Sequence, residues 1–279
     1  MTEHKNRSRS LLPAILWSIP LLLVFAPILF GQEASTGQQI MQYVDDRDEG
    51  DDQVSLSIQR LINERGQERR RESIYIKRQY KGKNDFDTKL FILIQSPPRI
   101  KGTSFLNWSY EKEDKDDDQW LYLPALRKVR RISASDKEDA FMGTDFTYDD
   151  MGDRKVEEDT HTLLRSEVLE ERDCYVVESV PVQKDYIYSK KITWVVKGEW
   201  IPLKVEYYDR KGKHLKTLTY SEWKRIDGIW SVGRMEMSNH QTGHRTILEI
   251  QKAKYNVDVP DDTFTTRTLQ KGVRQSYFK

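Results

Sequence analysis

The chain has a single cysteine in 279 residues, so no disulfide can form within it and its stability must come from burial. That residue, Cys174, opens the apolar word Cys174-Tyr175-Val176-Val177, where a buried, inert thiol is expected. The usual signatures of catalysis are missing as well. There is no G-x-S-x-G, no H-E-x-x-H, no glycine-rich phosphate loop and no cysteine metal pair, which removes the common hydrolase, zinc and nucleotide chemistries. Net charge is only +1, and nucleic-acid recognition normally needs a basic face. Charge itself is plentiful at 33% of residues, which suits a solvated outer surface. His240 and His244 are four apart, but Asn239–Gly243 between them reads as a hairpin turn, not as a helix that would align two ligands. Asp145, Asp149, Asp150 and Asp153 cluster without the spacing of a calcium loop. No enzyme, cofactor or metal is expected.

The N-terminus carries an export pattern. Lys5, Arg7 and Arg9 precede the apolar run Leu11–Phe30, the charged region and apolar core of a secretory signal. The run approaches the ~20 residues a spanning helix needs, which keeps an uncleaved anchor open. Pro13, Pro20 and Pro27 argue for cleavage instead, near Gly31–Ala34. No cysteine lies near the end of the run, so a lipidated N-terminus of the bacterial lipoprotein type is not expected. The expected division is 1–34 as signal peptide and 35–279 as one domain, with equal numbers of acidic and basic residues after residue 34.

Within 35–279, Gly37–Arg47 places Ile40, Met41 and Val44 at one-turn spacing and predicts a short amphipathic helix. Strand-like runs follow from Val54–Ile62 to Arg245–Val257, among them Lys89–Gln95, Thr103–Tyr110, Gln119–Leu126, Lys128–Ser135, Leu203–Asp209, Leu215–Ile226 and Trp230–Ser238. Turn words such as Arg210-Lys211-Gly212-Lys213, Asp227-Gly228 and Thr242-Gly243 separate them. Strands do not alternate with long helices, so the sheet is expected to be antiparallel. Ile192, Trp194 and Val196 alternate with polar neighbours, as do Leu203, Val205 and Tyr207, the mark of one buried and one wet face. Leu90–Ile94 is apolar at every position, and Trp120–Leu123 is apolar on both phases. Such strands need cover on both sides, from protein or from a ligand.

The densest word is Asp117–Met151, which contains WLYLPALRKVRRI and FMGTDFTYDDM. It resembles the outer-membrane lipoprotein-sorting proteins, the broad LolA-like family of periplasmic carriers. Weaker likenesses lie at Gly102–Trp108, Leu203–Asp209 and Pro260–Phe264, so the resemblance spans nearly all of 35–279. It implies a strongly bent antiparallel sheet, a half barrel with covering helices and a loop, whose concave face shelters acyl chains. The implied function is to carry lipid or lipid-modified protein from an inner-membrane transporter towards an outer-membrane acceptor, as a monomer in a Gram-negative periplasm. A lipid sensor of envelope stress on the same architecture is the alternative.

From the apolar phase of each strand, Leu106, Trp108, Trp120, Tyr122, Trp194, Leu203, Val205 and Tyr207 are expected to face the concave side. Phe141, Met142 and Phe146 around Gly143 are expected to form the gate of a mobile flap, Asp136–Met151, over the mouth of the cavity, the other description being a fixed loop with Asp145 capping a turn. Arg127, Lys128, Arg130 and Arg131 fit either lipid phosphates or the acidic run Glu111–Asp118 beside them.

Overall fold

The computed structural model describes residues 1–2, 36–112, 115–273 and 277. The expected signal core and its cleavage region lie outside the described residues. No helix among the described residues is long and apolar enough to cross a membrane.

The chain is mainly β. Its strands are β1 (Asp52–Ile62), β2 (Glu68–Gln79), β3 (Phe86–Ser96), β4 (Ser104–Tyr110), β5 (Asp118–Leu123), β6 (Lys128–Arg131), β7 (Asp159–Leu169), β8 (Arg172–Pro181), β9 (Tyr188–Val196), β10 (Pro202–Asp209), β11 (His214–Ser221), β12 (Lys224–Ile226), β13 (Ile229–Ser231), β14 (Arg234–Asn239) and β15 (Arg245–Tyr255). Among the described residues two α-helices flank them, α1 (Gly37–Asp45) and α2 (Thr266–Lys271). Thirteen strands form one antiparallel sheet in the order β6-β5-β4-β3-β2-β1-β15-β14-β11-β10-β9-β8-β7. The sheet is open, with β6 and β7 at its edges, and β1 pairs with β15 to join the N- and C-terminal halves.

Two expected strands break. Leu215–Ile226 stops at Glu222, which adopts φ +57, a left-handed conformation that ordinary side chains seldom take. Trp230–Ser238 stops at Gly233, where an added Cβ would lie 2.7 Å from the Glu222 Cβ. The two breaks face each other. They release β12 and β13 as a separate two-stranded hairpin, which carries Trp230 and begins next to Trp223.

Each face of the sheet has its own cover. On one side Val54, Ile76, Phe91 and Leu106 pack with Val259, Phe264 and Leu269 of the C-terminal segment. Ser104 Oγ donates to Leu269 O at 2.7 Å and Trp108 Nε1 to Phe264 O at 3.0 Å. On the other side α1 lies on β7–β9 through Ile40, which packs with Tyr175, Val177 and Val195. Its Gly37 is so close to β7 that a Cβ would fall 2.7 Å from the His161 backbone. Also on that side, Leu90, Ile92, Phe105 and Leu121 are covered by Phe141 and Tyr148.

Phe141 and Tyr148 belong to residues 132–158, a strap without long helices. Its central aspartates fasten it across the sheet. Lys216 Nζ on β11 donates to Asp150 Oδ2 at 2.6 Å and to Asp145 O at 3.0 Å. Tyr188 OH on β9 donates to Asp150 Oδ1 at 2.9 Å. Asp145 Oδ2 accepts from Thr246 Oγ1 at 2.7 Å and lies 2.7 Å from His244 Nδ1. The side chains of Lys216 and Asp150 are only 2% and 8% exposed. The clustered aspartates thus hold protein donors, and His244 serves the strap from its hairpin turn.

Removing one partner of a buried pair strands the other charge, a loss of about 3–5 kcal/mol. Lys216→Ala and Asp150→Ala are each expected to lower unfolding free energy by that order in urea denaturation, and the double variant by clearly less than their sum. Additive losses would show that the pair is not coupled.

Candidate functional site

Between the strap and the sheet lies a cavity of about 510 Å³, within the roughly 300–1,000 Å³ span of small-molecule sites. It is lined by side chains from β1, β2, β3, β9, β10, β11, β14 and β15, so the sheet curves around it. The lining of this cavity divides into a polar part and an apolar part.

On β1 the odd-numbered phase turns towards it, and that phase is polar: Gln53, Ser55, Ser57 and Gln59. The even-numbered Val54 and Leu56 belong to the opposite face. Ser73 on β2 joins the polar wall, with its Oγ 2.8 Å from Ser57 Oγ. Beside it on the same face of the sheet the lining is apolar, formed by Leu218, Tyr220, Met235, Leu248 and Ile250, with Leu248 and Ile250 paired in register to Gln59 and Ser57. Tyr220, Met235, Leu248 and Ile250 are only partly buried, so apolar surface remains open to the cavity. Phe141, Phe146 and Met151 of the strap form part of its lining, and Trp223, Trp230 and Val232 complete it.

A charged group lines the rest. Glu49 Oε2 accepts from Lys77 Nζ at 3.0 Å and from Gln79 Nε2 at 3.1 Å, and Glu49 also pairs with Arg47. Burial pushes the Glu49 carboxyl up, but Lys77 and Arg47 outweigh it and hold it down to about 2. Burial drives the Lys191 ammonium below its usual range, against the pull of Asp159 at 4.0 Å. Arg154 sits 4.0 Å above the Tyr186 ring and bonds Asp159 at 2.7 Å. The cavity is therefore amphipathic, with fixed charges, a hydroxyl-rich floor and an apolar wall. It offers no nucleophile with an adjacent base.

The residues expected on the concave side divide. Tyr207 lines the cavity, and Val205 packs beside it with Tyr188, Leu218 and Met237. Leu106, Trp108, Trp120 and Tyr122 stand on the opposite face, against the C-terminal segment. Trp194 and Leu203 pack in a separate cluster with Cys174, Val176 and Ile201. Alternation fixes which residues share a face, but β3 and β5 are apolar on both phases, so it does not fix which face is concave. The register Tyr75–Ile92–Phe105–Leu121 runs on the cavity side. Of the expected gate residues, Phe141 is buried, Phe146 lines the cavity and Met142 packs beside them. Arg130 and Arg131 pair with Asp136 and Asp118.

Sequence reasoning missed the polar wall, Leu248, Ile250, Trp223 and Trp230. A signal for the wall is present: in a chain rich in long charged residues, β1 reads Val-Ser-Leu-Ser-Ile-Gln from position 54, an uncharged polar phase that suits partial burial.

A family model described as that of an uncharacterized protein matches residues 86–271. No curated protein matches. Among solved structures, a domain from Vibrio parahaemolyticus assigned to outer-membrane lipoprotein sorting is 35% identical, over 84% of this chain and 98% of that one, with a TM-score of 0.78. A DUF1329 family protein from Desulfovibrio piger is 32% identical over the same shares, with a TM-score of 0.80. A LolA superfamily protein from Nitrosomonas europaea, 22% identical over 84% and 99% with a TM-score of 0.65, shares the fold.

Because the folded Glu49 pKa is depressed, its stabilising contribution is complete above its ordinary value near 4.5 and is lost as pH falls towards about 2. Thermal denaturation between pH 5 and 2 is expected to show a steeper loss for the wild type than for Glu49→Gln. Parallel curves would show that the charged group adds no acid-sensitive stability.

Proposed function

Because the chain belongs to the outer-membrane lipoprotein-sorting family of LolA-like proteins, we propose that it is a periplasmic carrier of lipid or lipid-modified protein and not an enzyme. In this reading the curved sheet acts as a half barrel that shelters acyl chains on its way from an inner-membrane transporter to an outer-membrane acceptor. Export by the N-terminal segment supplies the compartment, and the carrier works as a monomer. The observation that carries the proposal is the apolar wall of Leu248, Ile250, Met235 and Tyr220, left partly uncovered inside a cavity. Uncovered apolar surface in such a site gains by taking an apolar ligand.

The polar residues beside it support release. Each methylene moved out of water contributes about 0.8 kcal/mol, so a wholly greasy site would hold several acyl chains too tightly to pass them on. A chain lying against Ser55, Ser57 and Gln59 recovers only part of that free energy, which leaves an acceptor room to compete.

Leu248→Glu places a charge on the apolar wall at a residue that is not fully buried, so the fold tolerates it better than the site does. Binding of a fluorescent fatty acid is expected to weaken at least about tenfold, with the thermal midpoint changed little. Unchanged affinity would contradict the carrier proposal.

The strap bears on how cargo enters. For Phe141, Met142 and Phe146 to swing aside, the buried Lys216–Asp150 pair and the Asp145 contacts with Thr246 and His244 would have to open with them. We infer that the strap is a fixed roof. Hydrogen exchange at the Phe141 amide, which donates to Phe146 O at 2.7 Å, is expected to be slow with and without lipid. Fast exchange in the empty protein that lipid suppresses would establish a gate instead.

A further inference from the structure

A second cavity adjoins the first. It measures about 960 Å³ and is lined by polar and charged side chains between α1, the end of the strap and strands β7–β9. The two meet at a neck, where Arg47, Glu49, Lys77, Arg154 and Lys191 line both. Cations therefore outnumber carboxylates at the neck, and most of them are committed. Lys77 Nζ donates to Glu49 Oε2 at 3.0 Å, and Arg47 pairs with Glu49 and donates to Val44 O at 2.8 Å. Arg154 donates to Asp159 Oδ1 through Nε at 3.0 Å and through Nη2 at 2.7 Å.

Lys191 is the exception. Among the described residues its Nζ lies 4.0 Å from Asp159 Oδ2, beyond hydrogen-bond distance, and 5.8 Å from the centroid of the Tyr186 ring. An ammonium has three N–H groups that can only donate, and keeping one in a largely enclosed place without acceptors is costly. Burial pushes this ammonium down from its usual range, a direction that an adjacent anion reverses. The group is within reach of an occupant, because its side chain is 19% exposed. Its position is also fixed by the sheet. On β9 it pairs in register with Tyr207, which lines the apolar cavity, and with Ser179, which lines the polar one. An amphiphile whose chain lies along Leu248 and Ile250 brings its head to this neck, and the acceptor that suits an ammonium best is anionic.

We propose that Lys191 receives the anionic group, phosphate or carboxylate, that adjoins the acyl chain of the cargo, with any further headgroup extending into the polar cavity. This rests on the carrier reading and narrows it. The site selects amphiphiles by the charge at the head of the chain as well as by the chain itself.

The test is displacement of a neutral apolar fluorophore, N-phenyl-1-naphthylamine, from the wild-type protein by two matched pairs of lipids below their micelle concentrations. One pair is a lysophosphatidylglycerol and the monoacylglycerol of equal chain length, and the other is a fatty acid and the corresponding fatty alcohol. The anionic member of at least one pair is expected to displace at a concentration about tenfold or more below its neutral partner, the scale of one charge-assisted hydrogen bond. A preference in the first pair alone assigns the neck to a phosphate, and a preference in the second alone assigns it to a carboxylate. In Lys191→Met, which keeps the length of the side chain without its charge, the preference is expected to disappear. A folded Lys191→Met that keeps the full preference overturns the role of Lys191. Equal displacement within both pairs by the wild type overturns this inference and leaves the carrier reading standing, and that comparison does not depend on the variant folding. Displacement by a triacylated lipopeptide alone has the same meaning. Displacement by none of these five overturns both readings.

Discussion

A lysine ammonium and an aspartate carboxylate, both nearly sealed from water, fasten residues 132–158 to the face of the sheet, and the cavity depends on that attachment. Lys216 on β11 reaches Asp150 and the carbonyl of Asp145, while Tyr188 on β9 reaches the same carboxylate. A single aspartate thus ties the strap to two strands. With it in place, Phe141 and Tyr148 cover Phe105 and Ile92 on the β3–β4 side, and Phe146 reaches the Tyr188–Tyr207–Leu218 cluster on the other. A buried pair gives less net stability than an apolar replacement of the same shape. Its service here is positional: it sets where the roof sits above a floor that is partly polar and so cannot hold a roof by apolar contact alone.

The antiparallel sheet, its hairpin turns and helix α1 were legible in the sequence because they follow from local periodicity and turn chemistry. Gly37–Arg47 becomes α1 within two residues, and Arg210–Lys213 becomes the turn between β10 and β11 with Gly212 at φ +74. The direction in which each face points was not legible. Trp108 and Trp120 share a face with Leu106, as alternation requires, but that face meets the C-terminal segment, whose short helix α2 lies far along the chain. Nor was the break at Glu222, because a left-handed glutamate has no local signature and is imposed by the close approach of Gly233. Trp223 and Trp230 owe their place at the cavity to that break, so they could not be found without it.

In the proposed carrier, the apolar and polar parts of the cavity lining set capture against release. Apolar side chains on β11, β14 and β15 provide the gain on burial, whereas the serines and glutamines of β1 and Ser73 of β2 limit it. Glu49 holds Arg47 and Lys77, and Asp159 holds Arg154 and lies 4.0 Å from Lys191, so these charges can meet a polar headgroup without large rearrangement. Family membership, the curved sheet and this division of polarity support the proposed carrier of an amphiphilic cargo.

Native mass spectrometry of the protein purified from the periplasm, with extraction of whatever travels with it, tests that claim most directly. The account predicts wild-type protein carrying an acyl lipid or lipopeptide, seen as a discrete added mass that extraction recovers, and its loss from Leu248→Glu. A folded wild type that is always bare, or an identical adduct on both proteins, would contradict it.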